Sequence, residues 1–378
     1  MFIGKRRMKM LNKKCIFHIP NALDEKLASA SQIRPKKMKE AFEHIGYDVD
    51  VVWGTAKERA IAIKKIKKNI KNGVKYDFAY SESSTMPTLL TETHHLPSHP
   101  LLDFSFFAFL KKHGIKIGLF YRDMYWKFPP YKEAVRGLKY YGALVMYQYD
   151  LHQYNHLLTK FYLATLYAKK HLVNDIKDGL IDTLPPGCEK RSIRSGVTKK
   201  GASLTLLYIG GLGNHYRMHK VFQVVKDKKE VMLIVCCREA DWEKEKAEYI
   251  PFLSENISIV HKKGKELEKL YEKADICLTF FESDVYMEMA MPYKTFEYLS
   301  YGKPAISSIG TAFGEFIEKN DIGWQIEYTT EAFSELLNTI FRNPEQLEEK
   351  KQRCMEKIAD NTWEKRAEKV AKDLEGTE

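Results

Sequence analysis

The sequence is short of the cysteine patterns that staple small secreted folds or hold zinc. Six cysteines (Cys15, Cys188, Cys236, Cys237, Cys277 and Cys354) occur without a single C-x-x-C spacing. Three of them lie in apolar runs, so they read as reduced core thiols of an intracellular chain and not as a disulfide framework. Long hydrophobic runs are also missing: no stretch approaches the roughly 20 apolar residues of a membrane span. The basic opening, Met1 to Lys14, lacks the apolar centre of a signal peptide. The expected location is therefore the cytoplasm. Low-complexity tracts and internal repeats are absent too, and a content of 44% hydrophobic and 29% charged residues excludes a disordered chain. At 378 residues the chain exceeds one compact core, and two domains are expected.

What the sequence has in excess is positive charge in one half. Residues 1 to 180 hold 31 Lys and Arg against 16 Asp and Glu, or +15, whereas residues 181 to 378 hold 30 against 34, or −4. One domain is expected to face an anionic partner: nucleic acid, a membrane surface or a phosphorylated substrate. The chain lacks a nucleic-acid recognition module and an exposed aromatic platform, so the basicity alone argues weakly for nucleic acid.

Short apolar runs alternate with amphipathic segments, the pattern of βα units and parallel sheets. Strands are predicted at Cys15 to Ile19, Asp48 to Trp53, Tyr76 to Tyr80, Ile115 to Tyr121, Ala143 to Tyr147 and Phe161 to Tyr167. A second series follows at Ser203 to Ile209, Val231 to Cys236, Ile257 to His261, Ile276 to Phe280, Pro304 to Ile309 and Trp324 to Tyr328. Ser31 is placed to cap the first helix, with Pro35 in its first turn and Gly46 at its end. The segment Ile181 to Lys200, with Pro185, Pro186 and Gly187, reads as a linker. Two doubly wound α/β domains in tandem result, and ligands of such sheets bind at the carboxyl ends of the strands.

The segment Met291 to Ile306, MPYKTFEYLSYGKPAI, is the most informative. Pro292 suits the first helical position, Gly302 suits the residue just past the end, and Pro304 stops continuation. Free N–H groups at the helix start, with Lys294, make an anion site suited to a diphosphate. Glu297 lies one turn on, where a carboxylate can accept from vicinal ribose hydroxyls. Tyr293 and Thr295 flank the pair. The loop Gly210-Gly211-Leu212-Gly213-Asn214 lacks both the Gly-Lys-Ser/Thr of a P-loop and the third glycine of a dinucleotide fingerprint. Its glycines fit close approach of backbone to a phosphate, or a plain tight turn.

In the first half, Arg122 and Asp123 follow the strand Ile115 to Tyr121, at its carboxyl end, and read as a polar pair at a cleft or as an ion pair. Glu82, after the strand Tyr76 to Tyr80, is a further candidate. Asp48-Val49-Asp50 sits inside a strand and reads as solvent-facing. His94, His95 and His99 have no carboxylate or thiolate beside them, so no metal site is expected. The helix Lys57 to Lys71 carries Ile63, Ile66 and Ile70 on one side and lysines around the rest, a solvated face or an attraction to anionic headgroups. Leu101 to Leu110 is too short to span a bilayer and reads as a buried crossover helix.

Met291 to Ile306 closely resembles the P-x-K-x-x-E-Y-x-x-x-G-K-P-x-I signature in the C-terminal domain of GT-B glycosyltransferases, particularly family four. Leu184-Pro185-Pro186-Gly187, Ile322-Gly323-Trp324 and Thr362 to Ala367 also resemble that family. The resemblance implies two Rossmann-like domains facing across a cleft. Residues 1–184 would bind the acceptor, 185–200 would be the linker, 201–360 would bind a nucleotide-sugar donor, and 361–378 would be a helix returning to the first domain. It implies sugar transfer from a nucleotide diphosphate sugar, a UDP-sugar above others, to a hydroxyl of a glycan or lipid-linked acceptor at the inner membrane face. Retention and independence of any metal or other cofactor are also implied, as are Lys294 near the diphosphate and Glu297 on the ribose. Two departures stand out. Met289, beside Glu288, stands where the family's first glutamate falls. Gly210-Gly211 replaces its Gly-Arg, which leaves Arg217, Lys220 or Arg238 to supply the cation. Should the enzyme invert, Asp123 or Glu82 is the expected base. A glycosyltransferase-like subunit without activity is the rival reading.

Overall fold

The computed structural model describes residues 13–23, 30–191, 203–213 and 216–375. The first twelve residues, positions 192–200 of the expected linker, and Asn214 lie outside the described residues. The chain divides into two compact units: Met1–Leu184 with Trp363–Glu378, and Pro185–Thr362.

The first unit is built on six parallel strands, β1 (Lys14–His18), β2 (Asp48–Val52), β3 (Phe78–Glu82), β4 (Lys116–Phe120), β5 (Lys160–Leu163) and β6 (Ile181–Thr183). They lie in the order β2-β1-β3-β4-β5-β6, with Cys15 opposite both Val49 and Phe78. β3 is buried along its whole length and β4 from its second residue on, which is why both carry consecutive apolar residues. The second unit repeats the plan with β7 (Leu204–Ile209), β8 (Val231–Cys236), β9 (Ile257–Val260), β10 (Ile276–Thr279), β11 (Ala305–Ser308) and β12 (Gly323–Ile326). Their order, β12-β11-β10-β7-β8-β9, is the dinucleotide-fold order, and it reverses between β7 and β10. In the first unit the reversal falls between β1 and β3.

Three expectations need correcting. Ala143 to Tyr147 is not a strand but part of the helix Leu138–Leu157. Parallel β4 and β5 are adjacent, so the chain must return between them, and only Ala143 and Tyr147 of that run face inward at helical spacing. Ile181–Thr183, expected in the linker, pairs with β5 as the edge strand. Ser31 does not cap the first helix, which spans Ala30–His44 and holds both Ser31 and Pro35 within it. Pro35 has no N–H to give the Ser31 carbonyl, and Arg122 Nη1 donates to that oxygen instead at 2.5 Å.

The closing helix Trp363–Leu374 packs on the first unit, where the missing side chain of Gly118 makes room for Leu374. Tyr162 anchors it by donating to Asp373 Oδ2 at 3.0 Å. In the second unit the helix Tyr293–Ser300 begins one residue later than expected, with Pro292 extended at its cap. It ends at Gly302, whose φ of +64° lets Lys303 N–H reach back to the Tyr298 carbonyl at 3.1 Å.

Candidate functional site

In the second unit the reversal point between β7 and β10 is occupied by the pieces the sequence singled out. Gly210 follows β7, while Tyr293–Ser300 follows β10 after a connecting loop. Lys294 lies in a nest of three aromatic rings. Its Nζ is 4.5 Å from the Tyr208 ring centre, 4.4 Å from Tyr216 and 5.1 Å from Phe281, and it donates to the Tyr208 hydroxyl at 3.1 Å. Ring faces attract an ammonium, but they do not hydrate it as water does. Burial pushes the lysine down to about 7, against the opposing pull of Glu297. A Cβ on Gly210 would come within 2.5 Å of that ammonium and 2.8 Å of the Tyr208 oxygen. Glycine at this position keeps the lysine's space open.

Glu297, one turn further along the helix, is pushed above the usual carboxylate range by burial, offset in part by the Arg191 charge and the Tyr271 hydroxyl. Arg191 lies 4.4 Å over the Tyr301 ring, and Tyr301 stacks on Tyr271 at 3.8 Å with 12° between planes. These three form a wall beside the carboxylate. Thr295 is buried, and its hydroxyl has no hydrogen-bond partner. Tyr293 is half-buried next to Lys294, and burial raises its hydroxyl pKa. Met289 is buried, so no carboxylate stands at that position.

The three cations expected to replace the missing arginine are placed differently. Arg238 Nε donates to Asp241 Oδ2 at 2.8 Å, and that oxygen lies 3.4 Å from where a Cβ of Gly211 would be, so Arg238 belongs to the glycine-loop neighbourhood. Lys220 donates to the Tyr328 carbonyl at 2.5 Å and lies over its ring. Arg217 is exposed. The chemistry available here is that of an anion and diol site: a cation held ready, helix N–H groups, and a carboxylate beside them.

In the first unit, Arg122 and Asp123 do not pair. Arg122 Nη2 meets Glu82 Oε2 at 3.1 Å, and its Nε donates to the Ser83 carbonyl at 3.1 Å. Glu82 is completely buried, with Arg34 Nε 3.2 Å from Oε1 and the Tyr80 hydroxyl donating to the same oxygen at 3.0 Å. With both oxygens committed to cations, Glu82 cannot serve as a base or a cleft residue; it anchors Arg34 and Arg122. Asp123 accepts from Tyr125 N–H at 2.8 Å in the turn after β4, and burial raises its carboxyl above the usual range. Lys14 pairs with Asp48 at 2.5 Å and with Asp50 at 3.1 Å, so these carboxylates serve the strand edge.

The reversal point of the first sheet holds a cluster that the sequence reading missed. His18 Nδ1 lies 2.8 Å from Ser81 Oγ, and its Nε2 lies 2.9 Å from Asp103 Oδ1. Arg59 donates to both Asp103 oxygens, at 3.0 and 3.2 Å, and to the Gly54 carbonyl at 2.7 Å. Burial alone would raise Asp103, yet His18 and Arg59 outweigh it and hold the carboxyl below its usual range. All four side chains are buried and engaged with one another. The available signal was a polar residue at the end of one apolar strand, His18, and one place before the end of another, Ser81, with an arginine at an inward position of a lysine-rich helix.

Two six-stranded parallel units with ligand-type geometry at the reversal point of the second define an α/β protein of the GT-B glycosyltransferase architecture. Residues 189–360 match the family model for glycosyl transferases group 1. Similar solved structures include HepE from Anabaena in complex with UDP-glucose, at 10% identity over 95% of this chain and 99% of that one, with a TM-score of 0.62. A glycosyltransferase from Rickettsia africae is 13% identical over 97% and 100%, TM-score 0.62. WaaG, a glycosyltransferase involved in lipopolysaccharide biosynthesis, is 12% identical over 96% and 100%, TM-score 0.55. None of the curated proteins matches in sequence. Residues 189–360 of the second unit are thus similar to the group 1 glycosyl transferase domain, and the chain shares the GT-B fold of these solved structures.

Proposed function

We propose that the protein moves a sugar from a UDP-sugar to a hydroxyl of a glycan or lipid-linked acceptor, retaining the anomeric configuration. The observation that carries this reading is the Lys294 ammonium and the Glu297 carboxylate on one turn of a helix at the sheet reversal point, with Gly210 cleared in front of the lysine. Lys294 and the helix N–H groups meet the diphosphate, and Glu297 accepts from the ribose hydroxyls. Arg238 supplies a second cation at the glycine loop. The bound UDP-glucose of the similar HepE structure supports the donor class.

In this reading the bond from the anomeric carbon to the diphosphate oxygen breaks as the bond to the acceptor oxygen forms on the same face. The acceptor proton passes to the leaving diphosphate oxygen. Charge on that oxygen is met by Lys294 and fixed backbone dipoles, so the reaction needs no metal. An inverting course would need a base from the first unit; Asp123, whose carboxyl is raised by burial, is the residue suited to it. The positive first half favours a phosphorylated lipid or an anionic glycan as acceptor and work at the inner membrane face. No described helix is long and apolar enough to cross a membrane.

The test is donor turnover with and without extracts of membrane lipid. Release of UDP from one UDP-sugar, raised by lipid extract and lost in Lys294→Ala, supports the reading. Absence of turnover with every nucleotide sugar, in a chain that binds none, contradicts it.

A further inference from the structure

The helix Leu138–Leu157 has two opposed faces with different duties. Inward, Tyr147 donates to the Thr85 carbonyl at 2.7 Å, Asp150 Oδ2 accepts from Thr88 N–H at 2.7 Å, and the Tyr154 hydroxyl lies 3.2 Å from Thr88 Oγ1. These bonds hold the segment that follows β3. Outward, Leu138, Tyr141 and Val145 are 90%, 62% and 69% exposed. Spacings of three and four residues put them in one stripe on the helix surface.

The stripe is rimmed by charge and by tyrosines. Lys132, Arg136 and Lys139 are exposed around the helix start, against the single carboxylate of Glu133. The rings of Tyr125, Tyr131, Tyr140 and Tyr141 follow one another at 6.1, 6.0 and 5.3 Å. An apolar ridge with tyrosines and cations at its edge matches the layered chemistry of a lipid headgroup region, apolar below and anionic above. The chain leaves the carboxyl end of β4, makes the short helical turns Tyr125–Lys127 and Pro129–Ala134, enters this helix and then returns to start β5, so the stripe at the helix start lies toward the carboxyl-end rim of the first sheet. Ligands of such sheets bind at that end.

The lysine-rich helix Ala56–Lys71 is different. It buries Ile63 and Ile66 and leaves only Ile61 as a large exposed apolar side chain, so it offers charge without an apolar anchor. Three exposed side chains also fall well short of the roughly 800 Å² per partner of a stable protein interface.

We propose that the start of the helix Leu138–Leu157 docks on an anionic phospholipid bilayer, with Leu138, Tyr141 and Val145 among the headgroups and Lys132, Arg136 and Lys139 against lipid phosphates. The inference deepens the lipid-linked acceptor reading and rests on it for its purpose. It places a lipid surface beside the segment that Tyr147 and Asp150 hold.

The test is co-sedimentation of the full chain with phosphatidylcholine vesicles, with and without phosphatidylglycerol. The parent is expected to bind only the anionic vesicles. Leu138→Asp with Val145→Asp should lower binding by at least tenfold, and Lys132, Arg136 and Lys139 changed to Glu should lower it by about fivefold for each cation removed. Lys57, Lys64 and Lys68 changed to Glu should cost less than the apolar pair. Equal vesicle binding by parent and apolar variant would overturn the inference. So would parent binding to neither vesicle, or a self-association in sedimentation velocity that the apolar variant abolishes. UDP binding is measured on the same samples. Failed vesicle binding with intact UDP binding sinks this inference alone, while vesicle binding without UDP binding sinks the glycosyltransferase reading and leaves the docking face standing.

Discussion

The guanidinium of Arg122 donates to the carbonyl of Ser31, 91 positions away and the very oxygen that Pro35 leaves without its helical partner. The same side chain meets buried Glu82 and the Ser83 carbonyl, so one arginine ties the first helix to the ends of β3 and β4. Arg122→Ala would leave Glu82 buried with one cation fewer and a helix carbonyl unmet. A loss of roughly 3–5 kcal/mol is expected in chemical denaturation. Pro35→Ala restores an N–H to Ser31, so the two changes should couple by roughly 0.5–3 kcal/mol in a double-mutant cycle. Strictly additive effects would refute the substitution of one donor for the other.

Asp150 reports on the burial of its helix. Its carboxyl is pushed up to about 7 by burial, against the bonds from Thr88, whereas an unfolded aspartate titrates near about 4. Between these values the folded chain holds a proton that the unfolded chain gives up. This contribution is full below about pH 4 and lost as pH rises through 7. Asp150→Asn keeps an acceptor for Thr88 N–H without the charge. It should raise Tm at pH 8 and leave it nearly unchanged at pH 4; an equal effect at both would contradict the assignment.

Lys294 has the opposite sense. Its depressed value of about 7 means that the folded chain binds fewer protons than the unfolded chain up to roughly pH 10, the usual lysine range. Its contribution to stability is present above that range and is lost as pH falls through 7. A diphosphate favours the ammonium, so binding above pH 7 must take up a proton. UDP affinity should weaken by up to about tenfold per pH unit above 7 in the parent relative to Lys294→Ala, read by calorimetry. Parallel pH profiles for the two proteins would sink the argument.

Gly210→Ala tests the clearance directly. The new methyl would displace the ammonium from Tyr208 while leaving the fold, since its closest clashes are with the Lys294 ammonium and the Tyr208 hydroxyl. Weakened UDP binding with an unchanged circular dichroism spectrum is the expected result. Unaltered affinity would show that the lysine does not need that space.

The helix Tyr293–Ser300 was legible because its signals are local: Pro292, Lys294, Glu297, Gly302 and Pro304 fall within thirteen residues. The alternation of strands and helices exposed both α/β units for the same reason. Contacts across distance were not legible. Tyr208 and Lys294 are 86 positions apart, and His18 and Asp103 are 85 apart, so nothing in their neighbourhoods announces the other. Arg122 beside Asp123 suggested a pair, yet adjacent side chains diverge, and the partner was Glu82 across the sheet. Ala143 to Tyr147 misled because five apolar residues fit a strand and a buried helix equally well, and only the need to return between β4 and β5 decides.

The central claim is that the helix Tyr293–Ser300 receives a nucleotide diphosphate through Lys294 and Glu297. Calorimetric titration of UDP into the parent, Lys294→Ala and Glu297→Gln at pH 7 tests it most directly. Binding in the parent that falls by at least about tenfold in each variant, with their Tm values in buffer within a few degrees of the parent, is the expected result. Equal affinity in all three proteins would contradict it.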